Sequence, residues 1–209
     1  MSNEYIYAVE GALESAASAS GVSSLVSLAA YVFSALAIYT IAQRRGIKKA
    51  WLAWLPIVNV WILGSISDQY RYVVKGEVKN KRKILLTVSI LNTVFSIVAF
   101  VRLIVSLVLM FTGAAQDVNE MDIIRQLLTS LAFYIPVMIL GIVGLIFEIM
   151  ALYDVYTSCD PANNVLYLVL SIIPGINQIT RPLFLFLCRN QDGGMPPRRE
   201  AVVDQPAEF

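Results

Sequence analysis

Residues 44–83 read RRGIKKAWLAWLPIVNVWILGSISDQYRYVVKGEVKNKRK. The middle of this stretch, Ala50 to Ser67, is apolar and just long enough to cross a bilayer, while both flanks are strongly basic. Lys and Arg collect on the cytoplasmic side of membrane proteins, so a crossing segment should not carry that signature at both ends. If the stretch crossed, Arg71, Lys75, Lys79, Lys81, Arg82 and Lys83 would lie outside; if it turns back, they stay with Arg44, Arg45, Lys48 and Lys49. The stretch therefore reads as a re-entrant or interfacial helical hairpin on the cytoplasmic side, broken at Pro56. Trp51, Trp54, Leu55, Val58, Trp61 and Ile62 fall on one helical stripe. Trp favours the headgroup level, so Trp51, Trp54 and Trp61 are expected as interfacial anchors.

The surroundings fit a membrane chain. Of 209 residues 57% are hydrophobic and 15% charged, where a soluble domain carries ~25% charged residues. No charge occurs from Ser15 to Gln43 or from Gln126 to Phe147. Runs of this length read as membrane spans. Crossings are expected at residues 22–43, 84–112 and 127–152. Residues 1–21 hold Glu4, Glu10 and Glu14 and no Lys or Arg, which is unlike a cleavable signal and places this end outside. Asp117, Glu120 and Asp122 outnumber Arg125 in the loop after the second crossing, which also fits the outside. Residues 192–209, with Arg198 and Arg199, read as a flexible cytoplasmic tail.

After the third crossing, the polar run YDVYTSCDPANN reads as a turn into a second broken apolar stretch, residues 165–188, interrupted at Pro174–Gly175 and at Arg181–Pro182. It shares a P-x-x-N spacing with the first: Pro56 to Asn59, and Pro174 to Asn177. A faint parallel repeat follows, crossing plus broken hairpin, over residues 22–70 and 127–189. The fold class is thus an all-α integral membrane protein, with about three full transmembrane helices and two Pro-broken hairpins in one membrane domain, residues 22–191. The alternative has both broken stretches crossing, for five crossings.

Ionisable groups at membrane depth mark candidate sites, because burying one costs at least ~2.5 kcal/mol. Arg102 is expected to snorkel outward. Asp68 lies near the inner interface, and Asp154 is expected to be solvated at a helix end. Gly141, Gly144, Glu148 and Ala151 share one helical face, which turns Glu148 toward protein. Arg181 lies at the same depth, so a Glu148–Arg181 pair is expected to tie the second hairpin to the third crossing, as a lock or, alternatively, as part of a relay. Asn59 and Asn177 either bond carbonyls freed by their prolines and line a small cavity, or simply pack. Lys79, Lys81, Arg82 and Lys83 offer contacts to anionic lipid headgroups.

Other classes are disfavoured. The chain has no histidine, and its two cysteines, Cys159 and Cys188, lack metal spacing. A His-based metal site and His-based acid–base catalysis are excluded. No nucleophile elbow or phosphate-binding glycine loop is present, so no catalytic residue, metal or cofactor is expected. A net charge of +1 gives no pull toward nucleic acid.

RRGIKKAWLAWLPIVNVWILGSISDQY and LFLFLCRNQDGGMPPR resemble stretches in uncharacterised multi-pass membrane proteins of Gram-positive, clostridial-type bacteria. The resemblance implies a bacterial cell membrane and carries no mechanism. The expected function is a non-catalytic scaffold or accessory subunit that binds another membrane protein or itself; the alternative is a small oligomeric channel or transporter with a path near the paired hairpins.

Overall fold

A computed structural model describes residues 2–111 and 120–197. Among them all regular structure is helical: α1 (Ser2–Arg44), a 3-10 helix (Ala50–Trp54), α2 (Asn59–Lys75), α3 (Lys81–Phe111), α4 (Glu120–Cys159), α5 (Asn164–Ile172) and α6 (Asn177–Cys188). Three segments are long and apolar enough to cross a membrane: Ser23–Arg44, Lys81–Val108 and Leu131–Cys159. At ~1.5 Å per residue, α5 and α6 reach only ~14 and ~18 Å, short of a ~30 Å hydrocarbon core. The acidic N-terminal residues continue the α1 helix without a break. The Asp117 position lies outside the described residues.

Prolines set the breaks. Pro56 lies between the 3-10 helix and α2, and Pro174 between α5 and α6. The residue before each is extended, Leu55 at ψ 123° and Ile173 at ψ 120°, because the proline ring crowds a helical predecessor. Helix then restarts three residues on, and the asparagine N–H donates to the carbonyl before the proline: Asn59 to Leu55 at 2.9 Å, Asn177 to Ile173 at 3.0 Å. The Trp stripe is divided by the first break. Trp51 and Trp54 are exposed on the 3-10 helix, while Trp61 packs against the core from α2.

The core lies where α1, α2, α4 and α6 meet, around Ile41, Ile62, Leu63, Ile66, Val155, Tyr156 and Leu185. The helices pair crosswise: α1 lies against α6, and α4 against α2. α3 lies against both α2 and α4. The α2–α3 approach is so close at Gly64 that a Cβ there would sit 2.7 Å from the Arg82 Cα. α2 stops at Gly76, whose positive φ of 67° lets its N–H and that of Glu77 reach back to Tyr72 and Arg71 carbonyls.

One end of the bundle gathers most of the described charges. α4 continues past the expected end of its crossing, through Tyr153 to Cys159, so the polar turn shrinks to residues 160–163. α1 and α4 end side by side, with Arg45 Nη2 donating to Ser158 Oγ at 2.9 Å. Asp192 accepts from Arg44 at 2.7 Å and from Arg45 at 3.0 Å. Gly193 and Gly194 donate their N–H groups to the Cys159 and Ser158 carbonyls at 2.9 and 3.1 Å, satisfying acceptors that a helix end leaves open. Residues 192–194, expected in a flexible tail, are thereby fastened to the bundle; residues 198–209 lie outside the described residues.

Candidate functional site

A cleft of about 530 Å³ opens between α1, α2, α4 and α6. Its wall includes Pro56 and Asn59 from the first break, Asn177 and Arg181 from α6, and Glu148 from α4. Both P-x-x-N asparagines and both members of the expected ion pair thus share one cavity, which is possible because of the crosswise packing. Arg181 Nη2 donates to Glu148 Oε1, and both side chains are partly exposed in the cleft. Ser27, Tyr31 and Ser34 of α1 add hydroxyls, and Gln178 an amide, to a wall that also includes Ile38, Val60, Leu63 and Leu185.

Neither asparagine amide takes a carbonyl freed by proline. Pro174 cannot donate to Leu170, four residues back. Thr180 does so instead, its hydroxyl lying 2.7 Å from the Leu170 carbonyl. A hydroxyl one turn into the next helix reaches back across the break more directly than an amide at its start. The two asparagine side chains are consequently left for the cleft. They make no hydrogen bond among the described residues.

Glu148 also faces a second, smaller cavity of about 240 Å³ between α3 and α4, lined by Ser89 and Asn92 of α3 and by Gly141 and Gly144 of α4. Val60 lines both cavities, so Val60 and Glu148 form the partition between them. A Cβ at Gly144 would meet Val88 Cγ1 at 3.3 Å, whereas one at Gly141 would meet nothing within 4 Å. Asn92 Oδ1 is buried and has no hydrogen-bond partner among the described residues.

Two expectations are corrected. Asp154 is not solvated: it is 0% exposed, because α4 runs on past it and carries it under α2 and α3. Its Oδ2 accepts from Lys81 Nζ and Arg71 Nε, each at 2.7 Å, and from Ser67 Oγ at 2.5 Å. Lys81 is not available to lipid, since its side chain is 3% exposed and turned onto Asp154. The basic run is therefore split. Arg82 and Lys83 remain exposed, and exposed Lys79 pairs with Glu77 at 3.1 Å. Asp68 is a helix cap, its carboxylate accepting from the Lys81 and Arg82 backbone N–H groups at 3.0 and 3.2 Å. Anions favour this position at a helix N-terminus. Burial nonetheless pushes the Asp68 carboxyl up from its ordinary value, with those N–H bonds opposing the shift. Arg71 is held further toward its charged form by the bond to Asp154.

Arg102 is exposed on α3, with its guanidinium 4.5 Å from the Phe133 ring centroid on α4, a cation–π distance. It lies apart from the cleft. Cys159 and Cys188 are buried free thiols, and Arg45 donates to Cys159 Sγ at 3.6 Å. No protein-family model matches this chain, and neither curated proteins nor solved structures yield a match.

Proposed function

We propose that the chain is a three-crossing membrane protein with two re-entrant hairpins that binds a small polar solute in the cleft, as a small oligomeric channel or transporter. The observation that carries this reading is the convergence of Asn59, Asn177, Glu148 and Arg181 on one cleft. Broken helices and unpaired polar groups are tolerated at membrane depth where they line a cavity, and transporter sites are built from such discontinuous helices. In this reading the N-terminus is outside, the tail is cytoplasmic, and the cleft, which runs along α1 from Ser27 to Ile38, opens toward the cytoplasm. Arg82 and Lys83 rest against anionic headgroups. Three crossings enclose little space, so a conduction path takes more than one copy of the chain.

A scaffold or accessory subunit fits less well. Several small residues that could serve a partner are used inside the chain. Gly64 meets α3, Gly144 faces Val88, and Ala35, Ala37, Ala42 and Ala151 are buried.

Thiol labelling tests the reading. In a background with both native cysteines replaced by alanine, Asn59→Cys and Asn177→Cys are expected to react with a membrane-impermeant reagent on inverted vesicles and not on intact cells. Ile97→Cys, on an exposed apolar face of α3, serves as the lipid-facing control and stays unlabelled. Protection of both asparagine positions from either side removes the water-accessible cleft, and with it the function. Labelling of Lys79→Cys on intact cells reverses the topology.

A further inference from the structure

The cavity between α3 and α4 has a chemistry distinct from the cleft. Its polar lining residues are Glu148, Asn92 and Ser89, each of which carries an oxygen that can face a cation. No Lys or Arg lines it. Arg181 holds Glu148 Oε1 from the cleft side. Oε2 has no partner among the described residues. Asn92 Oδ1 is likewise an acceptor without a donor, in a helix–helix interface with no other use for it. An orphan acceptor at such depth is costly unless something with positive charge or a proton meets it.

The space itself is maintained by sequence. Gly141 lies inside a continuous helix, where glycine weakens the helix relative to alanine, and its Cβ position is open. Packing therefore does not require glycine there, and a small side chain leaves the space open. On α3, Val88, Ser89 and Asn92 recur at helical spacing along the opposite wall.

We propose that this cavity binds a small, largely dehydrated monovalent cation through Glu148, Asn92 and Ser89. Hard cations take carbonyl, carboxylate and hydroxyl oxygens as ligands. The single carboxylate already holds the Arg181 guanidinium, so only the smallest added charge, that of a monovalent ion, is compatible with the site. Because Glu148 belongs to both cavities, an ion on Oε2 competes with Arg181 for the carboxylate and so reports on the cleft. The inference rests on the cleft reading only for that coupling; the ion site itself stands or falls separately.

The test is the melting temperature of the full chain in nanodiscs, in lithium, sodium, potassium or choline chloride at equal ionic strength. A ligand that binds only the folded state raises it. At least one small cation is expected to raise it above the choline value, in wild type and in Gly141→Ala. That increment is expected to be lost in Gly141→Leu, which fills the cavity, and in Asn92→Leu, which removes the orphan acceptor. Equal melting in all four chlorides overturns the proposal, as does an increment that survives Asn92→Leu. If Gly141→Leu does not fold, Asn92→Leu and Ser89→Ala decide. Labelling at Asn59→Cys is unaffected by either outcome, so failure of the ion site and failure of the cleft are distinguishable.

Discussion

At the scale of single residues, the strongest electrostatic commitment is the Asp154 carboxylate. Two cations and a hydroxyl converge on one oxygen, while Oδ1 is buried without a partner among the described residues. Removing one member of such a group leaves the others charged and desolvated, at a cost of ~3–5 kcal/mol. Asp154→Asn is expected to destabilise by that amount in denaturation of the solubilised protein. Glu77→Gln, which touches the same Arg71 from an exposed position, should shift the midpoint far less, as exposed pairs do. Little of this was legible in the sequence. Arg71 and Lys81 lie 83 and 73 positions from Asp154, and no local pattern links residues at such range. The polar run YDVYTSC also looks like a turn, because its buried face shows only once α2 and α3 lie over it. Glu148 and Arg181 were legible for the opposite reason. Each stands nearly alone in an apolar run, which leaves few candidates for its partner.

At the scale of elements, glycines separate contact from space. A Cβ at Gly64 would fall 2.7 Å from the Arg82 Cα, a backbone atom that cannot turn aside. Gly64→Ala is expected to force α2 off α3 and cost ~1–3 kcal/mol, as overpacking does. Gly141→Ala meets nothing and gains helix propensity, so it should stabilise by ~0.5–1 kcal/mol. Paired melting curves check both signs, and a loss of stability in Gly141→Ala would show that the small cavity is not open. The elements themselves were largely legible. Three charge-poor runs of spanning length gave the three long helices, and Pro56 and Pro174 gave the breaks, because proline acts on its immediate neighbours. Helix ends were less legible: α4 extends to Cys159 because packing against α2 and α3 holds its last turns.

At the scale of the whole molecule, the described polar interactions concentrate at one end, where α1, α4 and residues 192–194 are tied together. Asp192 is the carboxylate that both guanidinium groups share. Asp192→Ala is expected to release residues 192–197, seen as faster proteolytic cleavage C-terminal to α6 in vesicles that expose this end. It should also lower the melting temperature, since the Arg45 side chain is 3% exposed and would lose its counter-charge. Gly194 supports the same tie, for a Cβ there would lie 2.0 Å from the Thr157 carbonyl oxygen. The tie also has a consequence for biosynthesis. Arg44 and Arg45 are translated 148 and 147 residues before Asp192. At ~5–20 residues per second, the first helix waits roughly 7–30 s on the ribosome for the carboxylate that neutralises its end. Throughout that interval the end of the first helix lacks the carboxylate that Arg44 and Arg45 both bond in the finished chain.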